Sequence, residues 1–280
     1  MSKIFLIFIV VLIIGVLFFE IFLPKESLSG EKMLFEVEKG QGSREIAFNL
    51  EKEGLIKRSP LFKLYVLTLG LSNNLQAGTY LLSPSMNIPE IADKFVKGDI
   101  AEEKITIIEG WDLKDIGVYL ENKGMFKAEE LYGGMPELEG YLFPDTYWVR
   151  RGETLEEIVE VMKDNFEKKT EGLGVTPEIV IMASLLEKEL QTKEDKEIAS
   201  GILWKRLRAG MALQVDAEMW TYKNPGLPPK PICNPGLDSI MAALNPKDSP
   251  YWYYLSTPEG ETIFSKTLEE HNTARALYLK

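Results

Sequence analysis

Thr176-Pro-Glu-Ile-Val-Ile-Met-Ala-Ser-Leu-Leu-Glu-Lys-Glu-Leu190 is the stretch on which the fold turns. Thr176 suits an N-cap, and Pro177 suits the first helical position, where its missing N–H would be unpaired in any case. Ile179 through Ala183 are apolar without a break, and Leu185 and Leu186 continue the run. A helix that is apolar all round has to be enclosed by other elements. The spacing predicts a helix over 177–190 inside a mainly helical core, with two carboxylates, Glu187 and Glu189, where it emerges.

Further helical patterns surround this stretch, at 155–166, 195–209 and 237–244, with a last one from about Thr267 to the end. Residues 251–256 and 261–264 read as two strands joined by Thr257-Pro-Glu-Gly260, which is turn chemistry. Toward the N-terminus the chain echoes itself. Phe35-Glu-Val-Glu-Lys-Gly40 precedes Ile46, Leu50 and Gly54, and Thr106-Ile-Ile-Glu-Gly110 precedes Ile116, Leu120 and Gly124 at one common offset. Each copy predicts a short strand, a glycine turn, a helix with its apolar stripe at i and i+4, and a closing glycine. With a helix over 60–69, a strand over 78–82 and a helix from Asn87 to Gly98, residues 33–98 form a compact unit. It resembles a LysM-like module, a fold often used to hold N-acetylated glycans. The pattern equally fits a small α+β packing domain.

Residues Ile4 to Phe19 carry no charged side chain, and Ile21, Phe22 and Leu23 resume the run after Glu20. Some twenty residues at about 1.5 Å each span roughly 30 Å, the hydrocarbon thickness of a bilayer. The Phe-Glu-Ile-Phe-Leu-Pro that follows is a poor signal-peptidase site, so an uncleaved anchor is expected. Lys3 and the α-amine favour a cytoplasmic N-terminus, with the body outside the cytoplasmic membrane. The expected organisation is an α+β chain: a single transmembrane anchor over 1–25, a linker over 26–32, the LysM-like α+β domain over 33–98, and a mainly helical α+β catalytic domain over 99–280.

The chain has 280 residues, 45% of them hydrophobic, and a formal net charge of −11. No basic stripe is present, so nucleic acid is not an expected partner. One cysteine, Cys233, allows no internal disulfide. One histidine, His271, leaves no ligand set for a Cys/His metal site. No phosphate-binding glycine loop occurs. Neither metal nor cofactor is expected.

A carboxylate at the edge of a buried helix loses solvation, and its pKa rises toward the range a general acid needs. Glu187 lies above Ala183 and Ser184, whose small side chains leave room for a ligand; Glu189 lies above Leu185 and Leu186. Of the pair, Glu187 is the preferred acid, against the plainer reading that both glutamates mark where the helix meets water. Leu138-Glu-Gly-Tyr-Leu-Phe-Pro-Asp-Thr-Tyr147 is dense in aromatics and carboxylates, the groups that stack on sugar rings and accept from hydroxyls. Glu139, Tyr141 and Tyr147 are its candidate substrate contacts. Leu213-Gln-Val-Asp216, Gly226-Leu-Pro-Pro229 and Cys233-Asn-Pro-Gly236 could wall a cleft.

Leu138–Tyr147, Ala183-Ser-Leu-Leu-Glu-Lys-Glu189, Leu213–Asp216, Gly226–Pro229, Asn234-Pro-Gly236 and His271-Asn272 follow the order, and nearly the spacing, of one family. From the anchor to the C-terminus the chain resembles the YceG-like endolytic murein transglycosylases. The resemblance implies a membrane-anchored lytic transglycosylase that cuts the MurNAc–GlcNAc bond within nascent peptidoglycan strands, with the cell-wall synthesis machinery as a further partner. It places the catalytic glutamate on Glu187 and cleft positions on Gln214, Asp216 and Asn234. It also implies one carboxyl serving as acid and then base, with the sugar's own 6-hydroxyl closing on C1 to give a 1,6-anhydro end. Two alternatives accompany it: a hydrolase using Asp216 as second carboxylate, and a non-catalytic glycan-binding scaffold. The segment 217–225 is shorter than the family's usual hairpin, which shortens one rim of the expected cleft.

Overall fold

The computed structural model describes residues 3–26 and 30–279. By contacts the chain divides into two compact units, Met1–Lys104 with Trp148–Glu153, and Ile105–Tyr147 with Thr154–Lys280.

The first unit begins with helix α1, Lys3–Phe22, twenty residues long. Counted over the described residues, no helix is long and apolar enough to cross a membrane. The spanning helix expected from the sequence is therefore not shown, and the expected linker falls partly outside the described residues, at 27–29. The last turns of α1 pack on the unit itself. Ile21 is 9% exposed within its core, with Leu17 against it. Glu20, which interrupts the apolar run, lies 3.9 Å from the Arg58 guanidinium.

The rest of the unit runs β1 (Met33–Val37), α2 (Ser43–Lys52), α3 (Ser59–Thr68), β2 (Gly78–Leu82), α4 (Ile88–Lys97) and β3 (Glu102–Thr106). β1 and β2 pair antiparallel, Met33 opposite Leu82 and Val37 opposite Gly78. Alternation along β1 turns Phe35 and Val37 inward, where Phe35, Phe62 and Tyr80 meet Phe95 of α4. α4 is closed at both ends by its own side chains: Asn87 and Glu90 form a capping box, and Gly98 ends it at φ +66.

In the second unit come α5 (Leu113–Asn122), α6 (Ala128–Tyr132), β4 (Thr146–Arg150), α7 (Leu155–Thr170), α8 (Pro177–Glu189) and α9 (Lys193–Arg208). After these follow α10 (Trp220–Lys223), α11 (Leu237–Leu244), β5 (Tyr253–Ser256), β6 (Thr262–Ser265) and α12 (Leu268–Tyr278). β3 pairs with β4 and β5 with β6. The internal echo appears in the structure. α2 and α5 each have ten residues and bury Ile46 and Leu50, and Ile116 and Leu120, at matching positions.

α8 is the core helix its sequence predicts, with Val180 through Leu186 all buried. It packs on α9 and α11 around Leu203, Ile240 and Ala243. Thr176 occupies the N-cap position without a side-chain cap hydrogen bond. α9 approaches the chain closely at Gly201, where a Cβ would sit on the Lys247 carbonyl. No side chain larger than hydrogen fits there.

Candidate active site

A cavity of about 290 Å³ opens in the second unit at the C-terminal end of α8. Glu189 reaches it from α8 and Arg206 from α9, with Gln214 and Asp216 from the following segment and Tyr222 from α10. Tyr253 and Tyr254 of β5, and His271 and Arg275 of α12, complete the wall.

Local geometry explains why Gln214 and Asp216 face the cavity. Leu213 and Val215 are fully buried, and the exposed Gln214 and Asp216 alternate with them. Arg206 holds the segment from below, donating through Nη1 to the Leu213 carbonyl at 2.6 Å and through Nε to the Trp252 carbonyl at 2.8 Å. Thr221 fastens the other side, its Oγ1 accepting from the Val215 amide at 2.9 Å. Gln214 sits at φ +53, the one non-glycine residue with positive φ among those described. Such a conformation costs of order 1 kcal/mol and is commonest at functional sites.

Glu189 accepts from the Ala217 amide at 2.7 Å through Oε1. Burial raises its pKa, and the Asp216 charge adds to the rise against two backbone hydrogen bonds that lower it. Asp216 accepts from the Tyr222 hydroxyl. That phenol is pushed up to about 12, first by burial and then by its bond to Asp216. Tyr222 therefore stays a donor at neutral pH, and the cavity holds two carboxyl groups in different surroundings.

Glu187 lies elsewhere. Its Oε1 accepts from Lys196 Nζ at 3.0 Å, and its Oε2 accepts from the Gly236 amide at 2.9 Å and from Ser239 Oγ at 2.7 Å. The two charged side chains are 8% and 5% exposed. Room beside Ala183 and Ser184, expected for a ligand, is filled by the chain's own turn. The Ile232 amide donates to Ser184 Oγ at 3.1 Å, and the Cys233 thiol donates to the Ser184 carbonyl at 3.4 Å. Small residues on α8 admit a backbone there, and the turn carries Gly236 onto Glu187.

The remaining sequence candidates also sit outside the cavity lining. Asn234 is fully buried and works as a pin. Its Oδ1 accepts from the Gly140 and Leu142 amides at 3.0 and 2.9 Å, and its Nδ2 donates to the Trp111 carbonyl at 3.0 Å. Glu139 accepts from the Leu113 amide at 3.3 Å, and burial pushes its carboxyl up to about 7. Tyr141 packs edge-on against Phe166. Tyr147 is buried, its hydroxyl donating to the Phe143 carbonyl and accepting from Asn165. Tyr141 and Tyr147 of the 138–147 segment thus both make internal contacts. Of the expected site residues the structure brings Gln214 and Asp216 together, and it adds Glu189, Tyr222, Tyr254 and Arg275. Only Glu189 and the pair His271-Asn272 carried any earlier signal in the sequence.

Two carboxyl groups in one polar, tyrosine-lined cavity, one with its pKa raised by burial, are the arrangement of an acid–base enzyme. The chain belongs to the YceG-like family, whose model matches residues 35–220 and 219–276. The two matched pieces meet inside the short 217–225 segment. Among curated proteins the chain is 29% identical to the endolytic murein transglycosylase of Bacillus subtilis, over 91% of this chain and 87% of that one. It is 26% identical to the endolytic murein transglycosylase of Streptococcus pneumoniae, over 89% of this chain and 59% of that one. The crystal structure of a YceG-like protein from Listeria monocytogenes superposes with a TM-score of 0.54 at 29% identity, over 88% of this chain and all of that one.

Proposed function

We propose that this protein is an endolytic lytic transglycosylase that cleaves the MurNAc–GlcNAc bond of peptidoglycan glycan strands and leaves 1,6-anhydro-MurNAc ends, with Glu189 as its acid and base. Family membership and relatives named for this activity support the reaction. The observation that carries the residue assignment is that Glu189 lines the cavity with a raised pKa, whereas both oxygens of Glu187 are taken by Lys196, Gly236 and Ser239.

The neutral Glu189 carboxyl gives its proton to the glycosidic oxygen as the C1–O bond breaks. Positive charge develops at C1 and the ring oxygen, where the Asp216 carboxylate stabilises it. The Glu189 carboxylate then takes the proton of the muramoyl 6-hydroxyl, whose oxygen closes on C1. Glu189 ends as it began, and no water enters the products. The nucleophile is part of the substrate, so proximity replaces a second catalytic carboxylate.

Asp216 also motivates a second reading, hydrolysis, since glycosidases use a carboxyl pair. Mass spectrometry of digested strands separates the two, because the hydrolytic product is heavier by one water. Anhydro ends from the wild type and none from Glu189→Gln support the proposal. Wild-type levels of anhydro ends from Glu189→Gln would sink it.

α1 serves in this reading as a membrane anchor, with the body outside the cytoplasmic membrane near the synthesis machinery. Its apolar sequence supports that role. The β1-α2-α3-β2 order there supports a LysM-like glycan-holding unit. A chain beginning at Gly30 should keep its chemistry in vitro and lose its bias for nascent strands in cells. Equal complementation by both forms contradicts the anchor's role.

A further inference from the structure

The cavity around Glu189 has a second wall that the proton transfers do not use. α12 supplies His271, Asn272 and Arg275 to it, and β5 supplies Tyr253 and Tyr254. Arg206 is already committed, 4% exposed, bonded to two carbonyls and lying 4.9 Å over the Tyr253 ring. Arg275 differs. It is exposed at the cavity edge, and among the described residues its guanidinium has neither a hydrogen bond nor an ion pair.

Two other groups there are unsatisfied. Tyr254 Oη and His271 Nδ1 are buried polar atoms without a hydrogen-bond partner. His271 is held flat against Tyr253, ring centroids 5.4 Å apart. Burial lowers its pKa, with the Arg275 and Arg206 charges adding to that effect, so the ring is neutral at pH 7 and keeps one donor and one acceptor. A buried polar atom left unpaired is costly, and a ligand or an ordered water normally completes it.

The charge balance points to the kind of ligand. The lining has two carboxyl groups, Glu189 and Asp216, and two guanidiniums, Arg206 and Arg275. Glu189 is engaged by the Ala217 amide, Asp216 by the Tyr222 hydroxyl and Arg206 by two carbonyls, which leaves Arg275 as the cation of the lining without a partner among the described residues. A neutral sugar needs no free guanidinium, whereas a carboxylate is recognised by one bidentately.

We propose that Arg275, flanked by His271 and Tyr254, forms an anion subsite that takes a carboxylate carried by the glycan strand beside the muramoyl residue at which Glu189 acts. This rests on the transglycosylase reading. The carboxylate has two chemical sources: the peptide stem, or the muramoyl lactyl group where the stem has been removed.

The test uses the full-length protein carrying Glu189→Gln, so that strands bind without turnover. Glycan strands of one length are prepared with stems intact, with stem carboxylates amidated, and with stems removed by an amidase. Binding of each is measured by calorimetry with and without Arg275→Ala. The expected result is about tenfold weaker binding of a carboxylate-bearing strand and no change for the amidated one. Loss on the intact strand identifies the stem as the source, and loss on the stripped strand identifies the lactyl group. Arg275→Lys should recover part of the loss. Equal weakening on charged and amidated strands, or none on any, overturns the subsite. Because binding is read apart from turnover, a failure of the transglycosylase reading shows separately, as absent anhydro product from the wild type.

Discussion

Glu187 and Glu189 stand two residues apart on α8, and their carboxylates end in different surroundings. Glu187 is enclosed by Lys196, Gly236 and Ser239, all within 3.0 Å of its oxygens. Glu189 lines the cavity, with the Ala217 amide on one oxygen. The first arrangement holds a turn and α9 against α8; the second leaves a carboxyl free to exchange a proton.

Glu189→Gln should lower anhydro-end formation by about 10²–10⁴-fold, the usual contribution of a positioned acid–base group. Its melting temperature should stay near wild type, since the amide still accepts from Ala217. Product analysis and a thermal melt on the same sample check both halves.

Glu187→Ala should unfold far more readily. It leaves the Lys196 ammonium buried without a partner, which typically costs about 3–5 kcal/mol, and it strips acceptors from Gly236 and Ser239. Denaturant midpoints measure the loss. A midpoint unchanged from wild type would show that the buried pair contributes nothing.

Asn234→Ala should behave the same way for a different reason. It orphans the Gly140 and Leu142 amides at once. Each buried unpaired amide costs about 1–3 kcal/mol. Stability should fall while any folded remainder keeps its affinity for glycan strands; a selective loss of affinity would return Asn234 to the cleft.

Glu139 sets a pH dependence. Its carboxyl is raised from 4.5 to about 7, by burial first; the Asp112 charge adds to the rise, and the Leu113 amide opposes it. Between those values the folded chain keeps a proton that the unfolded chain has lost. Stability therefore falls as pH rises through that window, by on the order of 3 kcal/mol. Glu139→Gln should flatten that slope and gain stability relative to wild type above pH 7. Melting temperatures of both proteins at pH 5 and pH 8 decide it; parallel curves refute it.

Gln214→Gly should relieve the positive φ, leaving stability equal or higher by a few tenths of a kcal/mol, and lower activity through loss of the side chain at the cavity. A variant that is less stable and fully active would mean that the backbone turn, and not the amide, is what position 214 supplies.

Much of the fold was legible because short-range rules govern it. α8, α11 and β2 lie where their apolar runs and flanking prolines and glycines put them. The repeated strand–turn–helix unit was readable from the common offset of its glycines and apolar residues. The short α10 and α6 were not, since a single turn leaves too few residues for a period to register. In the site, Gln214 and Asp216 were legible through the family resemblance, and the structure adds the reason they face the cavity, their alternation with the buried Leu213 and Val215. Glu139, Tyr147 and Asn234 make internal hydrogen bonds in the structure, and their sequence pattern does not separate that role from contact with a sugar, because polar and aromatic side chains serve a tight buried turn as well as they serve a sugar.

By itself the sequence determined the family, the buried core helix and the pair of glutamates at its end, all properties of neighbouring residues. The tertiary structure alone decided the different surroundings of the two glutamates. Helix geometry allows either one a ligand, but the groups around them come from positions 196, 217, 236 and 239. Only folding brings a lysine and a turn onto Glu187 and leaves Glu189 open to a cavity, where desolvation sets its proton affinity.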